Sequence, residues 1–161
     1  RFIETKEAAQ TAGLLHNLGV LWLADNLPVE TDRAITLNVS IAELTLNEAL
    51  KECTGAGYCE VNRWIAGQWK LPEVLALVME NHVDLSYRGR AWETNALVYA
   101  SIALAEAILA PHEAMPEQSI LSGFGIEQAQ QLKIYKQLFN KREKIQEMAD
   151  SLFIKKNKVF R

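Results

Sequence analysis

The chain has 161 residues, of which 49% are hydrophobic, so it can bury one core and does not require two. Its formal net charge of −3 excludes no class of partner, and its two cysteines, Cys53 and Cys59, are too few for a disulfide scaffold. No signal peptide is visible, and no segment approaches the roughly 18 continuous apolar residues that a membrane span needs. We therefore expect a cytoplasmic protein with both cysteines buried or half-buried.

Proline, glycine and apolar spacing predict helices along the whole chain. Gly19 is placed to end the first helix, and Pro28 and Pro72 are placed to begin later ones. Thr45 to Glu48 has the sequence of a capping box, and Ser40 to Glu43 offers a competing one just upstream. The other predicted helices cover about residues 4–16, 20–25, 28–37, 58–69, 72–82, 92–109, 126–139 and 141–153.

The segments between these helices are polar or rich in proline and glycine. Residues 83–90 are predicted to form one loop, and the segment with Pro111, Pro116, Gly123 and Gly125 is predicted to form another. No segment alternates as a strand does, and no repeat is present. These features predict one all-α domain over residues 1–161.

Three histidines limit the chemistry that the chain can carry. His112 follows a proline in a loop and is expected to be exposed and without a role. His16 and His82 each lie near the end of an apolar helical face. A histidine in such a position is more often a hydrogen-bonded core residue than a metal ligand, but two of them beside asparagines make a former site plausible.

Two segments around these histidines resemble motifs of HD-superfamily proteins. Residues 11–19 (TAGLLHNLG) are similar to the family's aGLLHDIG, with Asn17 in place of Asp. Residues 78–82 (VMENH) are similar to I-x-x-H-H, with Asn81 in place of the first histidine. His16 and His82 therefore match family histidines, whereas their neighbours depart from the pattern.

Further segments extend the resemblance to about residues 8–108. Residues 55–61 (GAGYCEV) are similar to G-x-x-H-x-x-V, with Tyr58 at the histidine position. Residues 69–72 (WKLP) match the W-x-LP element of HDOD domains, the regulatory branch of the superfamily. Glu106 stands where hydrolytic relatives have the last acidic ligand. The resemblance implies an HD-like helical bundle that lacks N-terminal helices before Arg1 and has a C-terminal helical extension over 126–161.

The positions at which this chain departs from the HD motifs decide which function the resemblance implies. Active relatives hold divalent metals with histidines and carboxylates and use the metal to generate a hydroxide that attacks phosphorus. Asn17 has no charge to hold a cation, and the phenol of Tyr58 titrates near 10, which makes it a poor ligand at neutral pH. We therefore predict no catalytic residue, no bound metal and no cofactor. The vestigial pocket would consist of His16, Asn17, Tyr58, Asn81, His82 and Glu106.

The function that the resemblance to HDOD domains implies is a non-catalytic module of bacterial signal transduction that binds a protein partner or a small ligand. Self-association is a second expectation, because an incomplete bundle leaves apolar surface on the Ala-rich first helix. The alternative is a metal-dependent phosphohydrolase or phosphodiesterase with an altered ligand set. In that case His16, His82 and Glu106 would bind the metal, and Arg88 or Arg90 would hold phosphate.

The charge distribution raises a third hypothesis. Residues 131–161 contain 9 Lys or Arg and 3 acids, which leaves 8 basic and 17 acidic residues before them. Tyr135, Phe139, Phe153 and Phe160 are interleaved with these lysines, as in some nucleic-acid-binding surfaces. The same aromatics are spaced as core residues, and no recognition motif accompanies them, so we do not expect nucleic acid as a partner.

The tryptophans are read as structural. Trp64 and Trp69 are predicted to be core or interface anchors, and Trp92 is read in the same way. Trp22 is expected to be partly exposed, because it lies on a short helix.

Overall fold

The computed structural model describes residues 2–109 and 119–156. The described part consists of ten α-helices, and it contains no strand. The prediction of an all-α fold is confirmed. The helices are α1 Phe2–Leu15, α2 Leu18–Asn26, α3 Pro28–Ser40, α4 Leu46–Thr54, α5 Tyr58–Gln68, α6 Glu73–Asn81, α7 Trp92–Leu109, α8 Ser119–Gly123, α9 Gln128–Phe139 and α10 Arg142–Lys156. No described helix is long and apolar enough to cross a membrane.

The chain divides into two compact units, residues 1–99 and residues 100–161, and the division falls within α7. In the first unit α3 packs on α4, α5 packs on α6 and α2, and α1 packs on α6. The expectation of one family domain over 1–161 with an extension from residue 126 stays a prediction.

The core of the first unit is formed where α2 to α6 meet. Its two clusters of buried side chains consist of Leu23, Ala34, Ala49, Leu50, Tyr58, Cys59, Val61 and Ile65, and of Ala66, Ala76 and Met79. Cys59 is buried and Cys53 is half-buried, as predicted. Burial raises the pKa of the Cys59 thiol to about 12, so this side chain behaves as a small apolar residue at neutral pH.

The capping box at the start of α4 is confirmed. The Thr45 hydroxyl accepts the backbone N–H of Glu48 at 3.3 Å, and the Glu48 carboxylate accepts the backbone N–H of Thr45 at 2.9 Å. The competing box at Ser40 does not form, because α3 continues through Ser40, whose hydroxyl donates to the carbonyl of Thr36. The predicted end of α3 near Leu37 was therefore three residues too early.

The sequence predicted that Gly19 ends the first helix, and this prediction is wrong. Gly19 is the second residue of α2, and α1 has already ended at Leu15. A Cβ atom built on Gly19 would collide with the backbone carbonyl oxygen of Tyr58 and would lie 3.0 Å from Oδ1 of Asn62. Glycine is therefore required here because α2 approaches the backbone of α5 too closely for a side chain.

The W-x-LP element forms the turn between α5 and α6. The N–H of Leu71 donates to the carbonyl of Ala66 at 2.9 Å, and the N–H of Lys70 donates to that of Gly67 at 3.2 Å. These two bonds are those of a Schellman motif, and Leu71 packs near Ala66 as the motif requires. Lys70 occupies its left-handed position with φ 52°, where glycine is usual.

The second unit contains one helix that the sequence did not predict. Residues 119–123 form α8, although Gly123 was assigned to a loop. The buried side chain of Gln131, on α9, donates to the hydroxyl of Ser122 and to the carbonyl of Ile126. These side-chain bonds join α9 to the end of α8 and to the segment that follows it. Pro111, His112 and Pro116 lie outside the described residues.

Candidate functional site

The fold brings together three of the six residues predicted for the vestigial pocket. The imidazole ring centroids of His16 and His82 lie 5.3 Å apart in an edge-to-face arrangement. The ring centroids of Tyr58 and His82 lie 5.6 Å apart. We call His16, Tyr58 and His82 the histidine cluster. Its members are 24 to 66 residues apart in sequence, so only the packing of the first unit explains their proximity.

Each member of the histidine cluster stands at the end of a helix. His16 follows the last residue of α1, Tyr58 is the first residue of α5, and His82 follows the last residue of α6. Because α5 packs on α6 and α1 packs on α6, these three helix ends meet. Side chains at helix ends lie beside backbone groups that have no partner within the helix, and such groups fix the orientation of both imidazoles.

His82 is the buried centre of the histidine cluster, with 1% of its surface exposed. Its Nδ1 lies 3.0 Å from the carbonyl oxygen of Met79, and its Nε2 lies 3.3 Å from the hydroxyl of Tyr58. Because a carbonyl oxygen only accepts, the proton of the neutral ring is on Nδ1, and Nε2 accepts the Tyr58 O–H. Burial lowers the pKa of His82 to about 4, so the ring is neutral at pH 7.

His16 is less buried and is oriented in the same way. Its Nδ1 lies 2.7 Å from the carbonyl oxygen of Gly13, in the last turn of α1, and therefore carries the proton. The interpretation as a hydrogen-bonded core residue is confirmed for His82, whereas His16 is hydrogen-bonded but only half-buried. The two rings thus use Nδ1 to bond the backbone of the helix that they follow.

Asn62 holds the backbone around the histidine cluster, and the sequence analysis missed it. This side chain is completely buried in α5. Its amide nitrogen donates to the carbonyls of His16 and Met79 at 2.6 and 3.0 Å, and its oxygen accepts the N–H of Gly19 at 2.7 Å. One side chain therefore joins the end of α1, the start of α2 and the last turn of α6. The only signal in the sequence was an asparagine one residue after Val61, on a face that is otherwise apolar.

The other three predicted pocket residues have separate surroundings. Asn81 donates from its amide nitrogen to the carbonyl of Leu77 at 2.8 Å, which confirms the predicted bond to a backbone group at a helix end. Asn17 precedes α2, but its side chain makes no capping hydrogen bond, so the same prediction is wrong for Asn17. Glu106 is exposed on the part of α7 that belongs to the second unit.

The side chains present do not fit the metal centre that the HD resemblance implies. Within residues 2–109 and 119–156, no group of three or more His, Cys, Asp or Glu is placed to hold a metal ion. Structural and catalytic zinc sites use at least three protein ligands. In addition, the nitrogen of His82 that could bind a metal already accepts the hydroxyl of Tyr58.

The HDOD-domain family model matches residues 2–85, just over half of the 161-residue chain. The chain belongs to the HDOD family. The match to this HDOD domain includes the whole histidine cluster, Asn62 and the turn at residues 69–72, whereas Glu106 lies beyond it. It confirms the family that residues 11–19, 55–61, 69–72 and 78–82 suggested. No curated protein and no solved structure matches the chain.

Proposed function

We propose that this HDOD domain is a non-catalytic regulatory module of signal transduction that acts by binding a protein or a small ligand. The observation that carries the proposal is the bonding of His82. Both ring nitrogens of this buried histidine are engaged by other groups of the protein, namely the Met79 carbonyl and the Tyr58 hydroxyl. A neutral histidine whose two ring nitrogens are both hydrogen-bonded within the protein needs no metal ion or ligand to satisfy it.

The charge of the cluster supports the same proposal. A divalent cation in this environment needs carboxylates to offset its charge, and the position that aligns with the family's bridging Asp is Asn17. To reach Nε2 of His82 a metal would also have to displace the Tyr58 hydroxyl. The cost of that exchange is the loss of this hydrogen bond from a buried hydroxyl, about 1–3 kcal/mol.

Exposed tryptophans on the same unit support binding of a protein partner. The rings of Trp22 on α2 and Trp64 on α5 meet edge to face, with centroids 5.4 Å apart. These two side chains are 37% and 51% exposed, and Trp69 is 59% exposed. Of the two predicted roles, core or interface anchor, the exposure excludes the core role for Trp64 and Trp69, and the partial exposure of Trp22 is confirmed. Exposed, mutually oriented tryptophans are typical of the central residues of binding interfaces, which supports the binding role.

Metal content and hydrolysis test the non-catalytic part of the proposal. The intact protein and a His16→Gln/His82→Gln double variant are incubated with Mn²⁺, Fe²⁺ or Zn²⁺ and dialysed. Bound metal is measured by plasma mass spectrometry, and hydrolysis of bis(p-nitrophenyl) phosphate is followed by absorbance. We expect the same metal content, well below one ion per chain, and no hydrolysis in either protein. One metal ion per parent chain that is lost in the double variant, together with hydrolysis, would establish the hydrolase alternative.

Self-association tests the binding part with a second copy of the chain as the probe. Sedimentation velocity is measured over a concentration series for the intact protein, for Trp64→Ala and for Trp69→Ala as the control outside the Trp22–Trp64 pair. We expect association that Trp64→Ala weakens and Trp69→Ala leaves unchanged. Equal weakening by both variants would contradict a specific role of the pair.

A further inference from the structure

A groove lies at the start of α7 in the first unit. It has a volume of about 410 Å³ and is lined by Thr5 and Ala8 of α1, Val74 of α6, and residues 90–94. We propose that this groove binds a small anion that carries a planar ring, such as a nucleoside monophosphate. It shares no lining residue with the histidine cluster, so the inference goes beyond the proposed function and does not depend on it.

The volume of the groove is suited to a small molecule. Ligand-binding pockets have volumes of about 300–1,000 Å³ and combine apolar walls with a few polar groups. Ala8 and Val74 supply apolar wall, and Thr5 and Thr94 supply hydroxyl-bearing side chains. The groove therefore has the size and the mixed lining that a mononucleotide requires.

The anion is assigned to the groove because of Arg90, the one arginine among the lining residues given by the structure, and a second arginine, Arg88, lies beside Trp92. Arg90 lines the groove, its side chain is exposed, and it forms no salt bridge with any described side chain. The guanidinium of Arg88 lies 5.9 Å from the ring centroid of Trp92, which is also a lining residue. Arg88 is held in the loop by donating Nη1 to the carbonyls of Leu85 and Tyr87 at 2.8 and 2.9 Å. A guanidinium with unused donors is the group best suited to bind phosphate in two-point contact.

The planar ring is assigned to the groove because of Trp92 and Glu93. The indole of Trp92 is 41% exposed and can stack on a base, an interaction worth about 1–3 kcal/mol. The half-buried carboxylate of Glu93 is an acceptor beside it, and it suits a base that offers ring N–H donors, as guanine does. Arginine, tryptophan and glutamate thus present complementary groups for phosphate, ring face and ring edge.

The backbone between these side chains is held in an unfavourable conformation. Ala91 has φ 69°, a left-handed value that costs a residue with a side chain about 1–2 kcal/mol. The turn is closed by a hydrogen bond from Trp92 N–H to the carbonyl of Gly89 and by one from Asn95 N–H to that of Ala91. With the backbone in this conformation, Arg90 and Trp92, the two neighbours of Ala91, both line the same groove.

Isothermal titration of the intact protein with GMP tests the proposal, and guanosine and ribose 5-phosphate serve as probes that lack the phosphate or the ring. We expect saturable binding of GMP that is tighter than binding of either fragment. Arg90→Gln should weaken GMP about tenfold, the effect of losing one charge-assisted contact, and should leave guanosine unchanged. Trp92→Ala should weaken both GMP and guanosine. Lys70→Gln, which removes an exposed cation outside the groove, should change nothing.

Thermal unfolding of each variant without ligand shows whether the protein still folds. GMP that fails to bind the folded parent saturably would overturn the proposal. Binding that Arg90→Gln and Lys70→Gln leave equally tight would also overturn it, because the phosphate would then be held elsewhere. If Arg90→Gln does not fold, Arg90→Lys replaces it. That variant keeps the charge, loses the two-point geometry, and is expected to bind GMP more weakly than the parent.

Discussion

Acidification should destabilise the first unit through His82. The pKa of this histidine falls from 6.5 to about 4 because folding buries the ring. Between these two values the unfolded chain binds a proton that the folded chain does not, so the free energy of unfolding decreases as the pH falls. Stability is fully present above pH 6.5 and declines toward pH 4. The expected loss is about 1 kcal/mol at pH 6 and about 2 kcal/mol at pH 5 relative to pH 8.

Such a loss is measurable because small domains unfold with only about 5–15 kcal/mol. All four tryptophans of the chain lie within residues 1–99, so intrinsic fluorescence reports the unfolding of the first unit. Urea titrations at pH 8, 7, 6 and 5 give the free energy of unfolding at each pH. The control is His82→Gln, which keeps a polar side chain at this position but does not titrate.

The carboxyl groups are the same in both proteins, so their contribution cancels in this comparison. Side-chain hydrogen bonds lower the pKa values of Glu48, Glu60 and Asp84 in the parent, and His82→Gln leaves these bonds in place. We expect a steeper decline for the parent than for His82→Gln, with a difference of about 2 kcal/mol in the pH 8 to pH 5 change. Parallel curves for the two proteins, or a parent with constant stability over this range, would refute the assignment of a buried, neutral His82.

Three substitutions and one control test the packing of the first unit, with urea unfolding as the common measurement. Asn62→Ala should cost about 3–5 kcal/mol, because it removes three hydrogen bonds at a completely buried position, those to the carbonyls of His16 and Met79 and that from the N–H of Gly19. A loss below about 1 kcal/mol would contradict the role of Asn62. Gly19→Ala should cost about 2–3 kcal/mol by forcing α2 away from α5, whereas Gly13→Ala, where an added Cβ meets nothing within 4 Å, should be neutral or stabilising. Equal effects at the two glycines would contradict the close approach. Lys70→Gly should stabilise by about 1 kcal/mol, because it relieves the left-handed conformation at φ 52°, and a destabilised variant would show that the Lys70 side chain contributes more than this strain costs.

The sequence predicted features that depend on short segments. Pro28 and the box at Thr45 begin helices as expected, because each acts on backbone groups only a few residues away. Spacing within helices also placed His16 and His82 on largely apolar faces. The family motifs added the long-range information that these two residues and Tyr58 belong together, and the fold agrees.

Features that depend on contacts between distant segments were not predicted. A glycine such as Gly19 is equally suited to end a helix or to admit a neighbouring helix, and only the position of α5 distinguishes these roles. Asn62 is recognisable as one polar residue on an apolar face, but its partners come from segments 17 to 46 residues away. The exposure of Trp64 and Trp69 likewise depends on which faces of α5 the other helices cover.

The contacts of Asn62 have a consequence for redesign of the domain. Asn62 positions the two histidines through the main-chain carbonyls of His16 and Met79, and its hydrogen bonds go to backbone groups. The three hydrogen bonds of Asn62 are therefore independent of which side chain stands at position 17, which precedes α2 and makes no capping hydrogen bond. A designer who wished to install a ligand beside His16 could change position 17 and keep these bonds. Replacing Asn62, in contrast, would remove the bonds themselves.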